Sequence, residues 1–243
     1  YSCAPYGEGW KGDLTEYMQE FLKNRYVIAF QDVRGRYMSE GQYENVRPYN
    51  PHKSDNETDE ASDTYDTIEW LISNTDNNGA VGFTGMSYPG FYATMSALSG
   101  HPALKAVSPQ APILDWFKGD DVHHNGALML MDIYSFAPYM FKKHDNPVEE
   151  DHGLPSPIGE NAYDWFLQKK TLSNLTASLP DTLAFWNEIL QHPHYDEYWK
   201  ERSLEQHLHD IKPAILVVGG TFDTDDCYGA LNTYKLIMRN SPE

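Results

Sequence analysis

Four short apolar runs, each followed or preceded by a helical stretch, constrain this chain more than any other feature. YVIAF (26–30), AVGFTG (80–85), LKAVSPQAP (104–112) and AILVVGG (214–220) read as buried strands. Between them, residues 13–25 carry Leu14, Tyr17, Met18, Phe21 and Leu22 at helical spacing behind Asp13 as N-cap, and residues 59–74 and 88–99 also read as helices. Strands that alternate with helices of this length predict a parallel sheet covered by helices, an α/β fold. The polar stretch from Gln31 to Glu57, rich in Gly, Pro, Asn and Asp, predicts a long irregular loop.

From about residue 115 the strand signal fades and Trp116, Trp165, Trp186 and Trp199 appear with most of the histidines. Segments near 124–143, 160–170 and 180–191 read as helices joined by Pro-rich links. Alternation resumes at 214–220 and ends in a helix over 227–238. The expected organisation is therefore a core in two pieces, 1–113 and 210–243, interrupted by a helical cap over 114–209.

Composition narrows the function classes. The 243 residues include 36 acidic and 18 basic side chains, a formal charge of −18, which would repel nucleic-acid phosphates. No run of eighteen apolar residues exists, so no membrane span is expected, and no signal-peptide pattern opens the chain. Two cysteines, Cys3 and Cys227, lack metal-ligand spacing and read as two thiols or one bridge. No metal or cofactor motif is present.

GMSYPG (85–90) stands where a strand hands over to a helix. A serine at such a turn is presented at the carboxyl edge of the sheet beside the N–H groups of a helix N-terminus. Ser87 is thus the candidate nucleophile, although Pro89 occupies the second Gly position of G-x-S-x-G and Gly90 comes one later. The other reading is an ordinary strand–turn–helix whose serine caps the helix. The loop GGTFDTDDCYG (219–229) lies at the same sheet edge and holds Asp223, Asp225 and Asp226.

With QDVRGRYMSEG upstream and HPALKAVSPQAPILDWFKGDD downstream, G-x-S-Y-x-G resembles the family of X-Pro dipeptidyl peptidases, cocaine esterase and α-amino acid ester hydrolases. The resemblance implies an α/β-hydrolase core with a mostly parallel, incomplete sheet and an inserted helical cap. It implies Ser87 as nucleophile, the Tyr88 N–H as one oxyanion donor and Asp223 as the triad acid. Tyr1 matches the tyrosine whose hydroxyl is the second donor, with Tyr6 as its rival. Asp121, Asp225 and Asp226 match a carboxylate cluster that binds the substrate ammonium; Asp120 competes with Asp121, and Asp225 replaces a Glu. No histidine follows Asp223, so the resemblance places the triad His beyond Glu243 and marks this chain as a segment cut on both sides, poorly active by itself.

The expected function is that of a serine hydrolase or acyltransferase acting on esters or amides of α-amino acids, or on a β-lactam, through an acyl-enzyme. Alternatives are an X-Pro dipeptidyl-peptidase-like enzyme, a glutaryl-cephalosporin acylase disfavoured by its anionic substrate, and a binding module that has lost its triad. No nucleic acid, membrane or cofactor is expected, and the full-length protein could be homo-oligomeric. The resemblance points to a bacterial protein, periplasmic or secreted, the setting in which Cys3 and Cys227 could pair. Arg34 is expected to brace the loop after the second strand and His101 to be structural.

Overall fold

A parallel sheet carries the molecule's candidate chemistry at one edge. The computed structural model describes residues 2–4, 16–54, 56–140, 146–149, 156, 158–179 and 183–241. Asp13 of the first expected helix lies outside them, as do Tyr1 and Tyr6. The chain opens with strand β1 (Ser2–Ala4), helix α1 (Glu16–Lys23) and strand β2 (Phe30–Asp32), with β1 and β2 parallel. The expected strand over 26–30 is thus displaced toward the polar side: Tyr26 and Val27 are exposed, and pairing begins only at Phe30. Apolar composition alone cannot distinguish a strand from an exposed approach to one.

Helix α2 (Glu60–Asn74) starts at a capping box, in which Ser62 N donates to Asp59 Oδ1 and Asp59 N donates to Ser62 Oγ, both at 2.9 Å. Arg34 braces the preceding loop with a two-pronged pair to Asp63, at 2.8 and 2.5 Å. Strand β3 (Val81–Met86) leads directly into helix α3 (Tyr88–Ala97), all ten of whose residues are buried, and then into strand β4 (Leu104–Gln110). β3 and β4 pair in parallel from Val81↔Leu104 to Met86↔Gln110, so α3 is the crossover that covers them. His101, in the link between α3 and β4, is buried, with Nε2 2.8 Å from Glu69 and Nδ1 accepting Ala103 N at 3.0 Å.

Beyond β4 the chain forms a two-residue hairpin of β5 (His123–His124) and β6 (Ala127–Leu128), turning at Asn125-Gly126 with both residues at positive φ. Helices α4 (Leu130–Met140), α5 (Ala162–Lys169), α6 (Leu172–Thr176), α7 (Ala184–Gln191) and α8 (Glu197–Arg202) follow. Their centre is aromatic. Trp186 and Trp199 are fully buried, and each spends its one donor, on Thr176 Oγ1 at 3.0 Å and on the His192 carbonyl at 2.7 Å. His192 is the C-cap of α7, and His194, His207 and His209 stand in the connecting segments.

Strand β7 (Ala214–Ile215) returns to pair with β4 in parallel, with a further bridge between Gln110 and Val218, and helix α9 (Cys227–Asn240) ends the described chain. The run AILVVGG is less buried than its composition suggests, since Leu216 and Val218 are exposed. β7 has β4 on one side, and no strand pairs with its other side among the described residues. Cys227 is a free thiol, and the side chain of Cys3, its expected partner, lies outside the described residues. The buried apolar residues make one continuous cluster from Phe83, Phe91 and Val107 to Trp186 and Trp199. Within it Trp116 links α3 to α7, with its ring 5.3 Å from Tyr88, 5.9 Å from Phe91 and 6.4 Å from Phe185.

Candidate active site

Ser87 occupies the single residue between β3 and α3, at φ 63° and ψ −126°. An L-residue with a side chain pays strain for that conformation, which persists only where the surroundings dictate it. Here they do. Ser87 N donates to the Gln110 carbonyl at the end of β4 (3.0 Å), and its own carbonyl accepts Phe91 N (3.1 Å), the first turn of α3. Two glycines make the tight reversal possible. A Cβ on Gly85 would lie 2.2 Å from the Pro89 carbonyl oxygen, and one on Gly90 would lie 2.5 Å from that of Gln110. Gly90 therefore provides the close helix–strand approach, and Pro89 sits in the first turn, where a missing N–H is harmless. The reading of Ser87 as a helix cap does not fit, because its side chain makes no capping hydrogen bond.

The N–H groups of a helix's first turn have no acceptors within the helix and carry its positive end. With Pro89 lacking an N–H, Tyr88 N–H is the donor adjacent to Ser87. A carbonyl oxygen that becomes an oxyanion at this turn would be met by that group.

Asp223 lies beyond the carboxyl end of β7, so Ser87 and Asp223 flank β4 at the same sheet edge. Its Oδ1 accepts the N–H groups of Asp225 (3.1 Å) and Asp226 (3.0 Å), which fixes the carboxylate in the turn that opens α9. Its Oδ2 accepts no hydrogen bond among the described residues. No histidine among them hydrogen-bonds Ser87 or Asp223; His123, for example, is packed between Phe117 and Trp199, and burial lowers its pKa to about 4.

The loop that leaves β4 is zipped to the Asp223 loop. Asp120 accepts Leu114 N (2.9 Å) and Asp115 N (3.0 Å) on one oxygen and Gly229 N (2.7 Å) on the other. Asp120 is thereby a structural clamp, and its neighbour Asp121 is left to the cluster. Asp121 N donates to the Asp225 carbonyl at 3.4 Å, so Asp121, Asp223, Asp225 and Asp226 are gathered from two loops.

A fifth carboxylate joins them that sequence reasoning missed. The Asn125-Gly126 turn folds the chain back so that Met129 N donates to the Val122 carbonyl at 2.9 Å. This sets Asp132, in the first turn of α4, within electrostatic reach of Asp121 and Asp225. None of the five carboxylates is in an ion pair among the described residues.

Burial first, and then the neighbouring carboxylates, hold Asp121 and Asp226 well above the ordinary carboxylate range. Asp225 is raised by burial and then by Asp132. Asp226 is 4% exposed and its Oδ1 has no hydrogen-bond partner. An orphaned buried carboxylate oxygen among other carboxylates is costly, and a cation that supplied N–H donors would relieve it. Among the described residues no group of three or more His, Cys, Asp or Glu side chains is arranged to hold a metal ion.

A profile of the family described as X-Pro dipeptidyl-peptidase (S15 family) matches residues 1–241. The chain is 25% identical to cocaine esterase of Rhodococcus sp. (strain MB1 Bresler) over 226 residues, 88% of this chain and 36% of that protein. Among solved structures, an aminopeptidase from a marine sediment Thaumarchaeota archaeon superposes with a TM-score of 0.87 at 31% identity, over 99% of this chain and 41% of that one. An α-amino acid ester hydrolase superposes with a TM-score of 0.81 at 30% identity, over 98% and 40%. The chain thus spans well under half the length of each of these relatives.

Proposed function

The chain belongs to the X-Pro dipeptidyl-peptidase (S15) family of serine hydrolases, and from that premise we propose that it cleaves esters or amides of α-amino acids through an acyl-enzyme on Ser87. The observation that carries the proposal is the backbone of Ser87, strained between β3 and α3 at φ 63° and ψ −126°.

In this reading Ser87 Oγ attacks the carbonyl carbon and passes its proton to a histidine from outside the described residues. Asp223, through the oxygen not engaged by the Asp225 and Asp226 N–H groups, holds that imidazole in the productive tautomer and stabilises its charged form. The oxyanion is held by Tyr88 N–H and by a tyrosine hydroxyl, that of Tyr1 or Tyr6. Collapse expels the alcohol or amine, which takes the proton from the imidazolium. Water then attacks the acyl-enzyme by the same route in reverse.

Asp121, Asp225 and Asp226 bind the ammonium of the substrate's α-amino group. The unpartnered oxygen of Asp226 and the absence of a counter-ion among the described residues support that role. A peptide with a free N-terminus presents the same ammonium, and the likeness to the archaeal aminopeptidase favours this second substrate class.

Incubating the intact protein with a fluorophosphonate and digesting it tests the assignment. The expected result is phosphonylation at Ser87, blocked by a competing amino acid ester. Modification elsewhere, or none under conditions that label a control serine hydrolase, would remove the proposal and favour a binding module.

A further inference from the structure

The loop that holds Tyr88 from behind is itself strained. Val46 is a buried β-branched residue at φ 50°, a backbone state that such residues rarely adopt. Its N–H donates to the Tyr88 hydroxyl at 3.0 Å, across 42 residues of chain. That hydroxyl donates in turn to Asn45 Oδ1 at 3.2 Å, and Tyr43 OH donates to the same oxygen at 2.7 Å.

All four residues are buried. Burial pushes the Tyr43 hydroxyl up to about 12 and that of Tyr88 well above its ordinary value, so both stay protonated and act as donors. The Tyr88 ring is packed on Tyr92 at 5.2 Å, nearly parallel, and edge-on to Trp116 at 5.3 Å. Tyr88 is therefore fixed at both ends: its ring and hydroxyl by this assembly, its backbone by the turn that begins at Ser87.

We propose that Asn45 is a positioning residue for the nucleophile turn. By accepting from Tyr88 and Tyr43 together, its side-chain oxygen locks the Tyr88 side chain and, through it, the orientation of the Tyr88 N–H beside Ser87. The inference rests on the reading of that N–H as an oxyanion donor. Asn45 touches neither Ser87 nor substrate. Its influence passes through one hydroxyl, and that makes it separable from a general packing role.

A charge that exists only in the transition state makes a misaligned donor cost kcat and leave KM nearly unchanged. The test is a double-mutant cycle in the intact protein, using an amino acid methyl ester. Asn45→Ala and Tyr88→Phe are each expected to lower kcat about tenfold with KM within about twofold. Asn45→Ala in the Tyr88→Phe background should cost less than about twofold more, because the path is already cut. Asn45→Asp, which keeps the acceptor oxygen, should recover most of the loss.

If Asn45→Ala does not fold, Tyr88→Phe and Asn45→Asp carry the test between them. Full kcat in Tyr88→Phe, additive losses in the double variant, or a loss confined to KM would each overturn the inference while the wild type remains active. A wild type that neither turns over the ester nor labels at Ser87 would instead overturn the functional reading, and the inference with it.

Discussion

The Gly229 N–H donates to the Asp120 carboxylate at 2.7 Å, joining the loop that leaves β4 to the first turn of α9. The approach is close enough that a Cβ on Gly229 would meet the Pro112 carbonyl oxygen at 1.8 Å. Asp120 is fully buried and accepts two further backbone N–H groups, so truncating it strands three buried donors. Asp120→Ala is expected to destabilise by about 3 kcal/mol or more, read from urea unfolding. A loss below about 1 kcal/mol would show that other groups hold these loops together.

The two glycines of the serine turn should be intolerant for a steric reason. Gly85→Ala and Gly90→Ala each place a methyl within 2.5 Å of a backbone oxygen. The neighbouring atom is main chain in each case, so it cannot swing away. Both variants should lose roughly 3 kcal/mol or more, or fail to accumulate as folded protein. Wild-type thermal melting in either would contradict the close contacts.

Ser87 should behave in the opposite sense. Glycine adopts its positive φ without strain, which offsets the greater flexibility of glycine in the unfolded chain. Ser87→Gly is expected to melt at or above the wild-type temperature while abolishing hydrolysis. A melting temperature several degrees lower would argue that the backbone at Ser87 is not strained.

A pH dependence of stability follows from Glu60, which is buried and has one oxygen without a partner. Burial, opposed chiefly by Arg47, pushes its carboxyl up to about 8. In the unfolded chain Glu60 ionises near 4.5, so between pH 4.5 and 8 the folded state holds a proton that the unfolded state has released. That contribution to stability is present below pH 4.5 and is lost as pH rises toward 8, at no more than about 1.4 kcal/mol per pH unit. Glu60→Gln should flatten the melting curve against pH over this range relative to wild type. Parallel curves would show that Glu60 is ionised in the folded protein.

Much of this architecture is legible in the residues, and the exceptions share a cause. β3, α3, β4 and their serine turn combine strong local patterns with a chain reversal of fixed chemistry. The expected strand at 26–30 fails because Tyr26 and Val27 are apolar yet exposed, which composition cannot reveal. Asp120 and Asp121 are indistinguishable in sequence and are separated only by which one the backbone of Gly229 engages. Asp132 and Asn45 are invisible for the same reason. One approaches the acidic cluster through a hairpin turn, and the other reaches Tyr88 from an irregular loop.

The central claim is best tested by the rate ratio for two esters that differ only in the α-amine. In the intact protein, kcat/KM for phenylglycine methyl ester should exceed that for methyl phenylacetate by about tenfold or more, as expected for a desolvated ammonium held by several carboxylates. The ratio should fall toward one in Asp225→Asn. Equal kcat/KM for the two esters in the wild type would contradict the account.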